Sequence, residues 1–324
     1  MNLTDWKRYV TKRWRPLHLT LCVIIMCALT STVAYAADFG WNGSVGVHGG
    51  FRKDELKWNI AGTPQGHNPN ILSELKWTDL EIRQIQATGN LRLTHRSFLW
   101  ARTQVRIAYG YGDIFDGKNQ DADYLGDDRT DRNSLIINDA GDGDVRDFTV
   151  SIGPSIPFKD DRWTFVPKLG YSYHEQNLTL FDGKQVDPSL ILIPDLNSTY
   201  QTEWDGPWAG LDIVYKSNNW SLTSRVEYHS FDYYAEADWN LRSDFQHPKS
   251  FDHRANGNGI VLDLEWVYQI SEHFSLSVLG HYLEWKTDHG VDRLFLANGD
   301  VLPTRLNKVT WESMALNVGL VYNF

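Results

Sequence analysis

Asp121-Ala122-Asp123-Tyr124 places two carboxylates two residues apart. In an extended chain such residues point the same way. Close like charges raise the pKa of one partner, and the pair can hold or polarise a water. The two lie in the most acidic stretch, residues 112–145. It also holds Asp113, Asp116, Asp127, Asp128, Asp131, Asp139, Asp142 and Asp144. A solvated acidic loop would have the same composition. Calcium is a further reading, because Asp139, Asp142 and Asp144, or Asp116, Asp121 and Asp123, offer hard oxygen ligands. Neither run has EF-hand spacing. His174, His229 and His281 fall on polar faces of alternating segments and read first as structural polar residues. G-x-S-x-G, H-E-x-x-H and Gly-rich phosphate motifs are absent.

The elements that must carry these groups alternate apolar and polar residues, with almost no helical periodicity. Ile260, Leu262, Leu264, Trp266, Tyr268 and Ile270 form the cleanest run. Similar runs begin at Phe39, Leu99, Phe148, Trp163, Ala209, Trp220, Phe274 and Met314. A tenth segment spans about 78–93, with a bulge expected between Ile82 and Ile85. The opposite faces carry Arg102, Gln104, Arg106, Lys168, Arg225, Glu227, Asp263 and Glu265.

Alternation alone also suits a soluble sandwich; four features point to a membrane barrel. Tight turns near residues 94–96, 159–162, 217–219 and 271–273 alternate with long connections at about 54–76, 112–145, 175–200, 232–258 and 286–309. Short periplasmic turns with long outer loops are the outer-membrane pattern. Aromatics follow the tight turns at Phe98, Trp163, Trp220 and Phe274, as an interfacial girdle would. The strand count is even, and closure removes edges that lipid could not satisfy. The chain ends on Phe324, like the C-terminal signal read by the barrel-assembly machinery. The fold class is therefore all-β: a ten-stranded antiparallel transmembrane β-barrel with five long extracellular loops, in the outer membrane of a Gram-negative envelope. Ten strands leave a narrow interior. Its charges should pair across the lumen, which disfavours a general-diffusion porin and leaves a small channel as a lesser reading.

Residues 1–36 read as a cleaved signal peptide. Lys7, Arg8, Lys12, Arg13 and Arg15 precede an apolar run and Ala34-Tyr35-Ala36. Both cysteines, Cys22 and Cys27, lie there, so the rest of the chain has neither a disulfide nor a Cys-ligated metal. Residues 37–324 form a single domain without a run long enough for a transmembrane helix. They carry 26 basic and 40 acidic residues, net −14. That acidity argues against nucleic acid and suits a cationic peptide, protein or surface.

The chain resembles the omptins, outer-membrane proteases with an Asp–Asp and an Asp–His couple across the barrel mouth. The likeness covers the topology of the whole mature chain, but its residue matches are sparse. Asp121-Ala122-Asp123-Tyr124 is similar to the family's D-x-D-W, and Ser73-Glu74-Leu75-Lys76-Trp77 to its S-x-L-x-W. Laying Trp220–Asn240 on the seventh omptin strand places Asp238 on the Asp of the Asp–His couple and Asn240 on the His. The resemblance implies a pocket for a basic side chain, with Glu236 and either Asp54 or Glu55 as its acids. It implies cleavage beside basic residues, no cofactor, and lipopolysaccharide as a structural lipid. Asn cannot take a proton from water at neutral pH. Either His229 or His247 replaces the missing base, or the protein binds its cationic ligand without cutting it.

Overall fold

The computed structural model describes residues 39–95, 102–158 and 162–324. The signal-peptide expectation, Phe98 of the girdle, and parts of two tight turns lie outside them. The strands are β1 (Phe39–Ile60), β2 (Ser73–His95), β3 (Arg102–Tyr124), β4 (Arg132–Asp139), β5 (Gly143–Pro154), β6 (Ile156–Phe158) and β7 (Trp163–Asp187). They continue as β8 (Ile191–Lys216), β9 (Trp220–Asp238), β10 (Phe251–Gln269), β11 (Phe274–Thr287), β12 (Gly290–Phe295) and β13 (Val301–Asn323). β4, β5 and β6 share one place in the ring, as do β11 and β12. Ten antiparallel places result. Pairing of β1 with β13, from Ser44↔Asn323 to Ile60↔Leu306, closes them.

Alternation explains the wall. Phe51, Leu169, Val226, Leu264, Leu316 and Val318 are exposed on the outer face, where lipid would cover them. Trp163, Phe274, Tyr111, Tyr171 and Tyr228 are exposed at the margins of that band. Inside, Lys168 meets Asp212 at 2.5 Å, and Arg225 bonds Glu265 with Asp212 and Asp263 nearby. His174 pairs with Asp147 (2.7 Å), His229 with Glu227 (3.0 Å) and His281 with Asp263 (2.7 Å). These are the lumen pairings that a narrow barrel requires.

Nearer the open end, aromatics from different walls meet. Trp204, Trp285 and Trp311 lie with ring centroids 5.3–5.9 Å apart. Phe231 stacks on Trp285 at 4.6 Å and Trp77 on Tyr200 at 5.1 Å. Each such pair contributes about 0.5–1.5 kcal/mol beyond its buried area. The lumen is bridged by side chains at this level.

Two expectations change. The bulge in β2 lies between Thr78 and Ile82, where Asp79 adopts φ 56°, rather than between Ile82 and Ile85. The long "loops" are largely strand. β3 runs to Tyr124, β4 occupies 132–139, and β7 and β8 are 25 and 26 residues long. Beyond the lipid, polar residues occupy both faces of most strands, so apolar alternation stops while the ladder continues.

Phe324 forms the seam. Its N–H donates to Gly43 O and its carbonyl accepts from Gly43 N, both at 3.0 Å, and its ring packs against Trp41 at 5.7 Å. Deleting Phe324 should slow assembly and lower the yield of the heat-modifiable folded form on unboiled gels. Wild-type yield and rate would count against a role for the terminal aromatic.

Candidate functional site

Asp121 and Asp123 lie near the open end of β3. Across the β2–β3 ladder they face Leu75 and Ser73. Leu75 is buried in the core, and directly paired residues share a face. Both carboxylates therefore belong to the inner face, as their spacing predicts. Ser134 Oγ donates to Asp123 Oδ2 at 2.9 Å. Burial, then the neighbouring Asp123 charge, pushes the Asp121 carboxyl well above the usual carboxylate range, against an opposing pull from Arg242. The Arg242 pKa is raised chiefly by its hydrogen bond to Asp244, against burial, with smaller contributions from the charges of Asp244, Asp123 and Asp121. Arg242 comes from the β9–β10 connection on the opposite wall. Its guanidinium is held bidentately by Asp244 (2.9 and 2.7 Å), which lowers the Asp244 carboxyl to about 2, and lies 3.9 Å from the Phe245 ring centroid.

Asp238 and Asn240 do not complete a couple facing these aspartates. Tyr233, Ala235 and Ala237 are the buried, inward residues of β9. Asp238 follows Ala237 and pairs with Thr199, while inward Tyr200 pairs with Ala237. Alternation thus turns Asp238 to the other side of the strand. There His247 Nδ1 meets its Oδ1 at 2.6 Å, and His247 Nε2 lies 3.2 Å from Arg242 O. The bond to Asp238 raises the His247 pKa. Asn240 serves a different purpose. Its Oδ1 accepts from Asn197 N (3.0 Å) and Ser198 Oγ (3.1 Å), and its Nδ2 donates to Asp195 O (2.8 Å). A histidine there would break these bonds rather than restore a base beside Asp121.

The expected basic pocket is not assembled either. Asp54 is fully buried, chelating Arg52 at 2.6–2.7 Å. Glu55 lies on the opposite face of β1, 2.5 Å from Lys57. Glu236 accepts from Tyr234 Oη at 2.8 Å and lies 3.8 Å from Lys249, on the same outer side as Asp238. His229 is a lumen residue bonded to Glu227 and Ser172. Asp252 and His253 are buried, one on Lys249 and Arg293, the other on Tyr200 and Asp292.

Among the described residues, no cluster of three or more His, Cys, Asp or Glu is arranged to hold a metal ion. The proposed calcium runs are dispersed. Asp116 accepts from Gly117 N, Asp139 from Gly141 N, and Asp144 from Asn177 while pairing with Arg146. Sequence reasoning missed Arg242. Nothing in the spacing of a 12-residue connection shows that it crosses the mouth.

Closed ring, lipid-facing band and filled lumen together define an outer-membrane β-barrel. Against solved structures, the chain is similar to the outer membrane protease OmpT from Escherichia coli. Identity is 14%, TM-score 0.70, and the match covers 91% of this chain and 100% of that one. It also matches the outer membrane protein OprG from Pseudomonas aeruginosa at 12% identity and TM-score 0.31, covering 87% and 96%. No curated protein matches. The chain belongs to the Protochlamydia outer membrane protein (Pom) family, whose model matches residues 46–324.

Proposed function

We propose that this outer-membrane barrel binds a basic segment of a peptide or protein at its open end, without cutting it. One observation carries the reading: Asp121 and Asp123 sit together on the inner face, and neither is bonded to Arg242, whose guanidinium is held by Asp244. Because the hydrogen bonds of Arg242 go to Asp244, an incoming Arg or Lys would pair with Asp121 and Asp123 without displacing it. The partner chemistry is cationic, consistent with the net −14 of residues 37–324. The bridged lumen disfavours a diffusion channel. Lipopolysaccharide remains a proposed structural lipid of the wall, and the barrel-assembly machinery a proposed partner in folding.

The Asp238–His247 contact at 2.6 Å favours a second reading, an endopeptidase whose base is His247. In that case the loop must swing until His247 faces Asp121 across the mouth.

One experiment separates them. A fluorogenic Arg-Arg peptide is mixed with refolded protein, with and without lipopolysaccharide, and both anisotropy and cleavage are followed. Binding without cleavage is expected. Asp121→Asn combined with Asp123→Asn should weaken binding roughly tenfold or more, since hydrogen bonds to charged groups contribute about 1.5–3 kcal/mol. Affinity should also fall with salt, because exposed charges are screened within about 8 Å at physiological ionic strength. Cleavage reduced by His247→Ala by about 10²–10⁴-fold would establish the peptidase instead.

A further inference from the structure

The β7–β8 hairpin ends in an apolar tip, level with the β4 residues that pair along β7 as far as Leu135↔Asp187. Leu190, Ile191 and Leu192 are 67%, 51% and 72% exposed, with Val186 at 41%. Isolated exposed apolar residues need no explanation, but a contiguous apolar tip marks an interaction surface. This tip is at the end opposite the tight turns, so its own bilayer does not cover it.

The same segment has an open edge. β8 pairs with β7 on one side through Ile191, Leu192 and Ile193. On the other side its ladder with β9 begins only at Thr199↔Asp238. Among the described residues no strand lies against Ile191–Leu196 there. The backbone on this side is competent to pair, because the Asn240 amide already binds it as a peptide group would, at Asp195 O and Asn197 N. Soluble proteins ordinarily blunt such edges with charge, proline or a bulge. Here Pro194 and the positive φ of Asp195 act below the tip and leave Ile191–Ile193 open.

We propose that the β7–β8 tip binds an extended protein segment by strand addition along Ile191–Ile193. The segment's own apolar side chains cover Leu190 and Leu192. Main-chain hydrogen bonds would supply affinity and alternate side chains specificity. Charge chooses the partner. Asp182, Asp187 and Asp195 flank the tip together with Lys184, which pairs with Leu192; among the described residues Arg132 matches Asp187 at 2.7 Å, and one negative charge is left in excess. A basic apolar strand is therefore favoured over an anionic bilayer or a second copy of this acidic chain. This surface lies three strands along the wall from the aspartates of β3, on the rung Asp121↔Ile136↔Gln185↔Ile191.

The test uses full-length barrel refolded in nanodiscs with Asp121→Asn and Asp123→Asn in place, so that the mouth does not contribute. The probe is a fluorescent peptide of alternating Lys and Val. Controls are its Glu-Val counterpart and a version with one central proline. Binding of the Lys-Val peptide alone is expected. It should weaken at least tenfold in Leu190→Ser with Leu192→Ser, and similarly in Ile193→Pro, while heat-modifiability stays unchanged. Equal binding of the proline-containing peptide, or binding indifferent to both variants, would overturn strand addition. Absence of Lys-Val binding would also overturn it. Concentration-dependent self-association lost in Leu192→Lys would assign the tip to a second copy instead. In the unmodified barrel, loss of mouth binding with tip binding intact would refute the proposed function and leave this inference standing.

Discussion

Asp54→Ala should destabilise the barrel by about 3–5 kcal/mol, the usual cost of removing one partner from a buried ion pair. Asp54 Oδ1 and Oδ2 bind Arg52 Nε and Nη2 at 2.7 and 2.6 Å, and both side chains are almost wholly buried. Asp54 Oδ2 also accepts from Trp311 Nε1 (3.0 Å) and Gln176 Nε2 (3.2 Å). The substitution leaves Arg52 on Asp147 alone and orphans two neutral donors. Asp54→Asn should cost less, because one acceptor remains. Arg52→Met combined with Asp54→Leu should recover much of the loss, since an apolar pair of similar volume removes the desolvation penalty along with the attraction. The denaturant midpoint of heat-modifiable migration measures all three. An unchanged midpoint for Asp54→Ala would show that Arg52 is fully compensated by Asp147.

Asp54 also shows where sequence reading reaches its limit. The resemblance to omptins made it a candidate for a basic pocket, whereas its alternation with Arg52, Leu56 and Trp58 places it in the core. Within the lipid band, one face must be apolar and the other packed, so strand, face and lumen pairing were all legible from period-2 order. Above the band that constraint ends. Asp113 to Asp123 read as a loop because polar residues occupy both faces, although the ladder to β2 continues to Ser73↔Asp123. Asp121 and Asp123 were found because an i, i+2 spacing survives either reading. Asp238 and Asn240 were placed by alignment to a relative's strand, and alignment does not see a face. One residue of register turns every side chain to the opposite side. Ala235 and Ala237 hold the inward positions at this end of β9. The contacts of His247 and Arg242 depend on how the connection after β9 folds. The turn bonds from Arg242 N to Trp239 O and from Phe245 N to Arg242 O fix that path.

Binding of an Arg peptide at the mouth should strengthen as pH rises through the titration of Asp121. Burial and the Asp123 charge hold that carboxyl well above its ordinary range, so it takes up a proton before an exposed aspartate does. Its neutral form attracts a guanidinium less than the carboxylate, and an incoming cation favours ionisation. Affinity is then low on the acid side and high on the alkaline side. A change of about tenfold corresponds to 1.4 kcal/mol at 25 °C. Stability should move the other way. A carboxyl raised in the folded state binds more protons there than in the unfolded chain. Folding therefore weakens as pH climbs from the ordinary aspartate pKa toward the raised one. Asp121→Asn should remove both slopes, flattening the affinity profile and stabilising the apo barrel on the alkaline side more than on the acid side. Asp123→Asn should shift the affinity profile to lower pH by removing the like charge, without abolishing it. Peptide anisotropy and denaturant midpoints across the acid-to-neutral range measure the two arms. An affinity profile unchanged by Asp121→Asn would place the cation elsewhere on the mouth. A stability slope unchanged by Asp121→Asn would mean that the carboxyl is not held in its neutral form by the fold.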